Sequence, residues 1–345
     1  MARRRHVIVG GGTAAINAIT TIREIDGGAS AITLVARERP YARMVLPYYL
    51  GGTIGRSHVF TLTPPRLAEL GVDTSLVGRS AAALDPAAGR LTLDDGRTVE
   101  YDDLLIATGS SPVRAPVPGA DGPGVHSFWT LDQAEGVMAE LQPGAEVVLV
   151  GAGFIAFTIL NALLKRGVRL TIVEIAPTIL PRMVDATGAA IVSAWLAEHG
   201  VAVRTGVRLQ AIEQLDGRRR LSLEGGERID ADVVILGDRH PPQPRLAPGL
   251  GLNMRGIIVD DHLGASAANV YAAGDVAEGR DRVTKPPSCT RSSRRRWGAA
   301  AWPGRTWPAP SWPIAAASDE HRRCARPPDR QLRRLGRRCG RASAR

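Results

Sequence analysis

Two short stretches of this 345-residue chain place small residues at their first, third and sixth positions. They are Gly10-Gly11-Gly12-Thr13-Ala14-Ala15 and Gly151-Ala152-Gly153-Phe154-Ile155-Ala156. Between a strand and a helix, the first glycine makes a tight turn and the second lets a pyrophosphate approach the backbone. The third small residue lets the helix pack on the strand. Phosphate oxygens then meet the unpaired N–H groups and the positive end of the helix. Each stretch is followed by a carboxylate, Glu38 and Glu174, placed to accept hydrogen bonds from ribose hydroxyls. Glu174 also repels a 2′-phosphate, which argues for NAD over NADP. Ala156 at the third small position argues the other way, because alanine there is also found in NADP-binding turns; charge repulsion is the larger effect. One such stretch is a weak signal. Two of them, 141 residues apart, imply two dinucleotides in one chain, one delivering electrons and the other receiving them.

The flanking residues supply elements that would hold both turns. His6–Val9 reads as a short buried strand, and Ile16, Ile19, Ile22 and Ile25 mark one helix face. Asp26-Gly27-Gly28 ends that helix, and Ala31–Val35 is the next strand. The second unit repeats the order: strand Val147–Val150, helix Phe157–Arg166, stop at Gly167, strand Arg169–Val173, with Glu174 at its end. Between the units, Leu84-Asp85, Arg90–Leu93 and Arg97–Glu100 read as a small β-meander.

Charge divides the chain unevenly. Residues 1–284 carry 28 basic and 31 acidic groups, whereas residues 285–345 carry 16 basic and three acidic ones. A nucleic-acid partner would therefore rest on the tail alone. All three cysteines (Cys289, Cys324, Cys339) lie in the same tail, so the first 284 residues can form no disulfide and no thiolate metal site. The histidines lack metal-ligand spacing. No apolar run reaches the ~20 residues of a membrane span, and no secretory signal precedes Val7, so a cytoplasmic location is expected. Trp129 and Trp195 sit in amphipathic contexts and are expected in the core. Arg218-Arg219-Arg220, after Asp216-Gly217, is expected to be a solvated hairpin.

Two further segments carry a family resemblance. Tyr101-Asp102-Asp103-Leu104-Leu105-Ile106-Ala107-Thr108-Gly109-Ser110 is similar to the "yD.LliATGs" segment of flavoproteins. Asn269-Val270-Tyr271-Ala272-Ala273-Gly274-Asp275-Val276-Ala277 is similar to their "vyAaGDva" segment, whose aspartate bonds the ribityl chain of FAD. With both glycine turns, residues 6–284 resemble the two-dinucleotide-binding flavoprotein reductases of the pyridine nucleotide-disulfide oxidoreductase superfamily. Within it they look most like the rubredoxin, ferredoxin and nitrite reductase flavin modules. The resemblance implies an α/β fold of two Rossmann-like, three-layer ββα domains. An FAD domain (1–114 and 240–284) would be interrupted by an NAD domain (115–239). FAD would lie on Gly10, Gly12, Ala15, Glu38, Arg43, Thr108, Gly109, Gly274 and Asp275. NAD would lie on Gly151, Gly153, Ala156, Glu174 and Gly237, with Pro47 and Tyr48 near the flavin. Electrons would pass from NADH through FAD to a redox protein, a partner subunit or a small molecule. No catalytic side chain and no metal is required, because the cofactors carry the chemistry.

Departures from the family pattern narrow the chemistry. In the coenzyme A-disulfide reductase and NADH oxidase branch, "CGLPYYiGG" carries a redox cysteine where Met44 stands, so a thioether excludes that thiol step. In the ferredoxin reductase branch, "RPPLSK" carries a lysine at the position of Tyr48, paired with a glutamate at the position of Thr158. Both charges are missing here. Tyr48 and Tyr49 are expected to pack against flavin or core. The tail contains eight prolines, four tryptophans and only Ile314, Leu332 and Leu335 as branched aliphatics, so it is expected to be disordered. Shifting the reading frame over Ser288–Pro310 yields text similar to the family helix "A…GRvAgaNvAG". An out-of-frame tail, with the family's dimer domain missing, is therefore expected. The competing reading is a non-catalytic nucleotide-binding protein whose basic tail binds nucleic acid.

Overall fold

A computed structural model describes residues 3–237, 241–243, 246, 250–253, 256–280 and 287–289, with 253 and 287–289 described by backbone alone. Of the basic tail only 287–289 fall within the described residues, where they form a strand; the expectations about the rest of the tail and about its reading frame lie outside them. The chain opens with β1 (Arg5–Val9), α1 (Thr13–Asp26) and β2 (Ala31–Ala36). Two short helices follow, α2 (Leu46–Leu50) and α3 (Pro64–Glu69), and then β3 (Val72–Val77). A meander of β4 (Ala81–Asp85), β5 (Arg90–Leu93) and β6 (Thr98–Glu100) leads into β7 (Asp103–Ile106). The second unit contains β8 (Val125–Ser127), α4 (Leu131–Glu140), β9 (Glu146–Val150), α5 (Phe154–Lys165), β10 (Arg169–Glu174) and α6 (Ala186–Glu198). It continues with β11 (Ala202–Thr205), β12 (Leu209–Leu215), β13 (Arg218–Leu223), β14 (Arg228–Ala231) and β15 (Val233–Leu236). The chain then returns to the first unit through β16 (Leu252–Asn253), β17 (Gly256–Ile258), β18 (Val270–Ala272), β19 (Ala277–Arg280) and β20 (Pro287–Cys289).

The two units repeat one architecture. Strands β18-β7-β1-β2-β3 form one five-stranded parallel sheet, and β11-β10-β9-β15-β8 form the other. An antiparallel meander accompanies each sheet, β4-β5-β6 and β12-β13-β14. The strands of the second sheet all fall between β7 and β18 in the chain, so the first sheet is built from two separate stretches of sequence. Both faces of each parallel sheet are covered, so the central strands read as unbroken apolar runs rather than alternating ones. In the second sheet, Val147, Leu149, Leu170 and Ile172 face helices, while Val148, Val173, Val234 and Leu236 face the β12–β14 meander. The helix after the second glycine turn begins at Phe154 rather than Phe157, because the turn itself supplies the N-cap, Gly153.

The cores do not follow chain order. Tyr41, Leu46, Leu50 and Val59 precede β7, yet they pack with Phe128, Leu131, Val137, Leu149, Ile159 and Leu163 in the core of the second sheet. Residues 41–60 therefore lie across the junction between the two sheets. A Cβ on Gly51 would sit 3.3 Å from Ala162 Cα, and Arg166 Nε donates to the Leu50 carbonyl at 2.8 Å. Tyr49 Oη donates to Glu135 Oε1 at 3.2 Å, and Arg56 Nε pairs with the same oxygen at 2.6 Å.

Three side chains depart from the sequence expectation. Trp195 is 41% exposed and stacks on His199 at 3.8 Å, because only Ala189 and Leu196 of α6 are buried. Trp129 is half-buried and donates its indole N–H to a carbonyl of the first unit. Arg219 is no solvated hairpin residue: its guanidinium donates to the Pro123 and Asp232 carbonyls and pairs with Glu140 at 3.1 Å. It fastens the second meander to the sheet it covers. Among the described residues there is no cluster that could hold a metal ion, and no helix is long and apolar enough to cross a membrane.

Candidate dinucleotide sites

Local chemistry makes the two glycine turns alike. Gly10 N donates to Val35 O at 2.8 Å and Gly151 N donates to Val173 O at 2.7 Å, so each turn leaves its first strand hydrogen-bonded to its second. Gly10 has φ +116°, and a Cβ there would lie 2.2 Å from the Ala107 carbonyl oxygen; no side chain fits. Gly12 and Gly153 differ in kind. Both have extended backbone, φ −83° and −86°, and a Cβ on either would meet nothing within 4 Å. That open space lies over the first turn of α1 and of α5.

Among the helices longer than the five-residue α2, which also lacks a side-chain cap, capping marks the same two places. Helix α3 is capped by the Thr63 side chain, α4 by a Thr130–Gln133 capping box, and α6 by Asp185. Helices α1 and α5 start from glycine with no side-chain cap, which leaves their first N–H groups and positive ends for an external anion. Ala15 and Ala156 are buried one turn further on, where a larger side chain would push each helix off its sheet.

Around the first cradle the structure gathers most of the FAD residues expected from sequence. A Cβ on Gly274 would lie 3.2 Å from the Ala14 Cβ, so the Gly274–Asp275 turn abuts the first turn of α1. Ser110 Oγ donates to Asp275 Oδ2 at 2.9 Å, and Arg43 Nη1 donates to the Ser110 carbonyl at 3.2 Å. Arg43 also reaches Glu38 at 3.8 Å, and a Cβ on Gly109 would lie 4.0 Å from Arg43 Nη1. Thr108 Oγ1 donates to the Gln243 carbonyl at 3.0 Å, holding the returning chain on the turn. After Asp275 the described chain runs from a single 3-10 turn into β19, and no helix follows within the described residues. The residues fit a long dianionic ligand: an open backbone cradle, an arginine, and a carboxylate at each end.

Around the second cradle, Glu174 ends β10 and is buried. Its Oε2 accepts from Ala152 N at 2.5 Å and its Oε1 from Ala176 N at 2.8 Å. Glu174 therefore braces the turn as well as presenting a carboxylate, and each oxygen keeps acceptor capacity for a ribose hydroxyl. Gly237 closes the floor, since a Cβ there would lie 2.6 Å from the Val150 carbonyl oxygen.

Pro47 and Tyr48 occupy a third place. They line a cleft between α2 and α5 with Gly51, Thr158, Asn161 and Lys165. Tyr48 is 58% exposed, so of the two partners expected for it, flavin or core, the core is excluded. Tyr48 and Thr158 nonetheless share this cleft, as the sequence comparison of the lysine–glutamate pair implies. Met44 is 54% exposed. The sequence assigned no site role to Ser110, Tyr41 or Trp129, whose contacts join residues 19 to 165 positions apart.

Residues 4–300 match the family described as pyridine nucleotide-disulphide oxidoreductase. The chain is 33% identical over 276 residues to rhodocoxin reductase of Rhodococcus erythropolis, covering 79% of this chain and 64% of that protein. It is 30% identical over 279 residues to rubredoxin-NAD(+) reductase of Pseudomonas putida, covering 80% and 72%. The fold superimposes on a crystal structure of the covalent putidaredoxin reductase–putidaredoxin complex with a TM-score of 0.82 and 26% identity, over 88% of this chain and 75% of that one. The chain thus spans just under two thirds of the length of rhodocoxin reductase. Two uncapped helices at repeated glycine turns, joined to these matches, place the chain in the pyridine nucleotide-disulphide oxidoreductase family, flavoproteins that bind FAD and NAD(H).

Proposed function

We propose that this chain is an NADH-dependent flavoprotein reductase that passes electrons to a small iron–sulfur or rubredoxin-type carrier. The observation that carries the reading is the pair of uncapped helix N-termini, α1 and α5, each with an open cradle at a glycine. The names of two relatives, rubredoxin-NAD(+) reductase and the ferredoxin–NAD(+) reductase component of a biphenyl dioxygenase system, supply the class of acceptor.

The assignments are residue by residue. The first N–H groups of α1 meet the FAD pyrophosphate over Gly12, and Glu38 accepts from the adenosine ribose. Arg43 lies between the cradle and Ser110, and Asp275 accepts from the ribityl hydroxyls. The first N–H groups of α5 meet the NADH pyrophosphate over Gly153, and Glu174 accepts from its adenosine ribose. Bound together, NADH supplies a hydride and FAD takes two electrons that it can release singly. The protein's share is orientation and exclusion of water, which do not require an acid–base side chain. Residues 1–284 hold no cysteine and Met44 occupies the redox-cysteine position, so turnover uses no protein thiol.

The test is reconstitution. Apoprotein mixed with FAD should retain a protein-bound flavin absorption band that NADH bleaches without oxygen, and it should reduce a rubredoxin or [2Fe–2S] ferredoxin. Prior alkylation of thiols should leave the rate unchanged. Failure to hold flavin would overturn the first site, and retained flavin that NADH cannot bleach would overturn the second. Loss of activity on alkylation would overturn the thiol-free route.

A further inference from the structure

Tyr41 lies three residues after Glu38, at the start of the segment that packs with the second sheet. It is 3% exposed, and its ring meets Phe60 edge-on at 6.4 Å. Its hydroxyl makes two bonds of opposite sense. It donates to Glu38 Oε1 at 3.1 Å and accepts from the backbone N–H of Leu131 at 2.9 Å. Leu131 is the first residue of α4, whose capping box is filled by Thr130 and Gln133. The Leu131 N–H is thus an orphan donor of a helix in the second unit, and a side chain of the first unit satisfies it.

This arrangement is directional. A phenol that accepts from an immobile backbone N–H has its oxygen fixed, and its proton then points at the remaining acceptor. Here that acceptor is Glu38, whose side chain is 38% exposed and would otherwise sample several rotamers. Arg43 approaches the same oxygen only to 3.8 Å, so the phenol is the closer donor. Burial, then the nearby Glu38 carboxylate, pushes the Tyr41 hydroxyl up to about 12, so it stays protonated and able to donate throughout the neutral range.

We propose that Tyr41 is a positioning residue for the adenosine ribose of FAD: anchored by the first N–H of α4, it holds Glu38 in the orientation that meets the ribose hydroxyls. The proposal rests on the assignment of Glu38 to that ribose made above. It also gives the two units a shared part, because a bond from the second unit sets the geometry of the cofactor site in the first.

The test is a double-mutant cycle on FAD affinity, read by titrating apoprotein with FAD and following flavin fluorescence. Tyr41→Phe keeps the ring and removes the hydroxyl. It should weaken FAD binding roughly tenfold, the effect of losing one hydrogen bond to a charged group. In a Glu38→Gln background, where no carboxylate remains to be oriented, Tyr41→Phe should change the FAD dissociation constant less than about twofold. Equal weakening in both backgrounds would show that the hydroxyl acts only through packing of α4, and would overturn the proposal. No weakening by Glu38→Gln itself would overturn the ribose assignment beneath it, a result separable from the first. Should Tyr41→Phe melt too low to titrate, Glu38→Asp reads the same bond from the other side. It keeps the charge but withdraws it by one methylene, and should weaken FAD as Tyr41→Phe does. Parent-like FAD affinity in Glu38→Asp would overturn the proposal.

Discussion

Replacing Gly12 by valine separates binding from folding. The backbone at Gly12 is extended, which any residue adopts, and a Cβ there meets no atom within 4 Å. The cost to the apoprotein is the poorer capping tendency of valine, about 0.5–1 kcal/mol. The cost to FAD is larger, because the added carbons fill the space through which phosphate oxygens reach the N–H groups of α1. Losing two charge-assisted hydrogen bonds at about 1.5–3 kcal/mol each removes about 3–6 kcal/mol. That corresponds to a dissociation constant raised by roughly 10²- to 10⁴-fold. Gly10→Ala is the contrast: φ of +116° and an oxygen 2.2 Å from the new carbon should destabilise the apoprotein itself. Thermal melts of apoprotein and FAD titrations of both variants decide the matter. The reasoning is refuted if Gly12→Val binds FAD within about threefold of the parent, or if its apoprotein melts as low as Gly10→Ala.

Other outcomes follow from single contacts. Glu174→Arg should raise the KM ratio of NADH to NADPH by roughly 10–100-fold, and kinetics with both donors checks it. The gain for NADPH should be the smaller part, because the Ala152 and Ala176 N–H groups lose their acceptor. Asp26→Asn should destabilise the protein by about 1–3 kcal/mol at neutral pH. Burial raises the Asp26 carboxyl, but hydrogen bonds from Ser30 and Gly28 and the Arg23 charge outweigh it and hold the group below the usual carboxylate range. Its contribution is therefore present above the unfolded value of about 3.9 and is lost as pH falls through the folded one. Melting curves at descending pH should show parent and variant converging at the acid end. Arg219→Ala should lower the melting temperature without altering FAD affinity, since its three partners all lie in the second unit.

Both glycine turns, their strands and their long helices were legible because each is a local pattern. Apolar runs, three-residue isoleucine spacing and small residues at fixed offsets all fall within a span of about 30 positions. The meander at 81–100 was legible for the same reason. Helix α2 was not, since five residues give no period to read. Sequence alone also could not say which sheet Leu46, Leu50 and Val59 would cover, because any apolar face suits any core. Trp195 was misplaced because α6 is apolar nearly all round, so its exposed side carries no compositional mark. Tyr41 escaped notice because its two partners lie three and 90 residues away, and only folding brings them to one oxygen.

The packing of residues 41–60 against the second sheet bears on how such proteins can be recombined. The second unit is contiguous in sequence and so looks portable. Excised at 115–237, it would lack Tyr41, Leu46, Leu50 and Val59, four buried side chains worth about 1.5–3 kcal/mol each on burial. It would also leave the Leu131 N–H without an acceptor. A chimera that exchanges this unit between relatives keeps its interior only if the 41–60 segment travels with it. Two distant stretches of the gene are thereby bound to one inheritance, and substitutions at Gly51 and Ala162 should be accepted in pairs rather than singly.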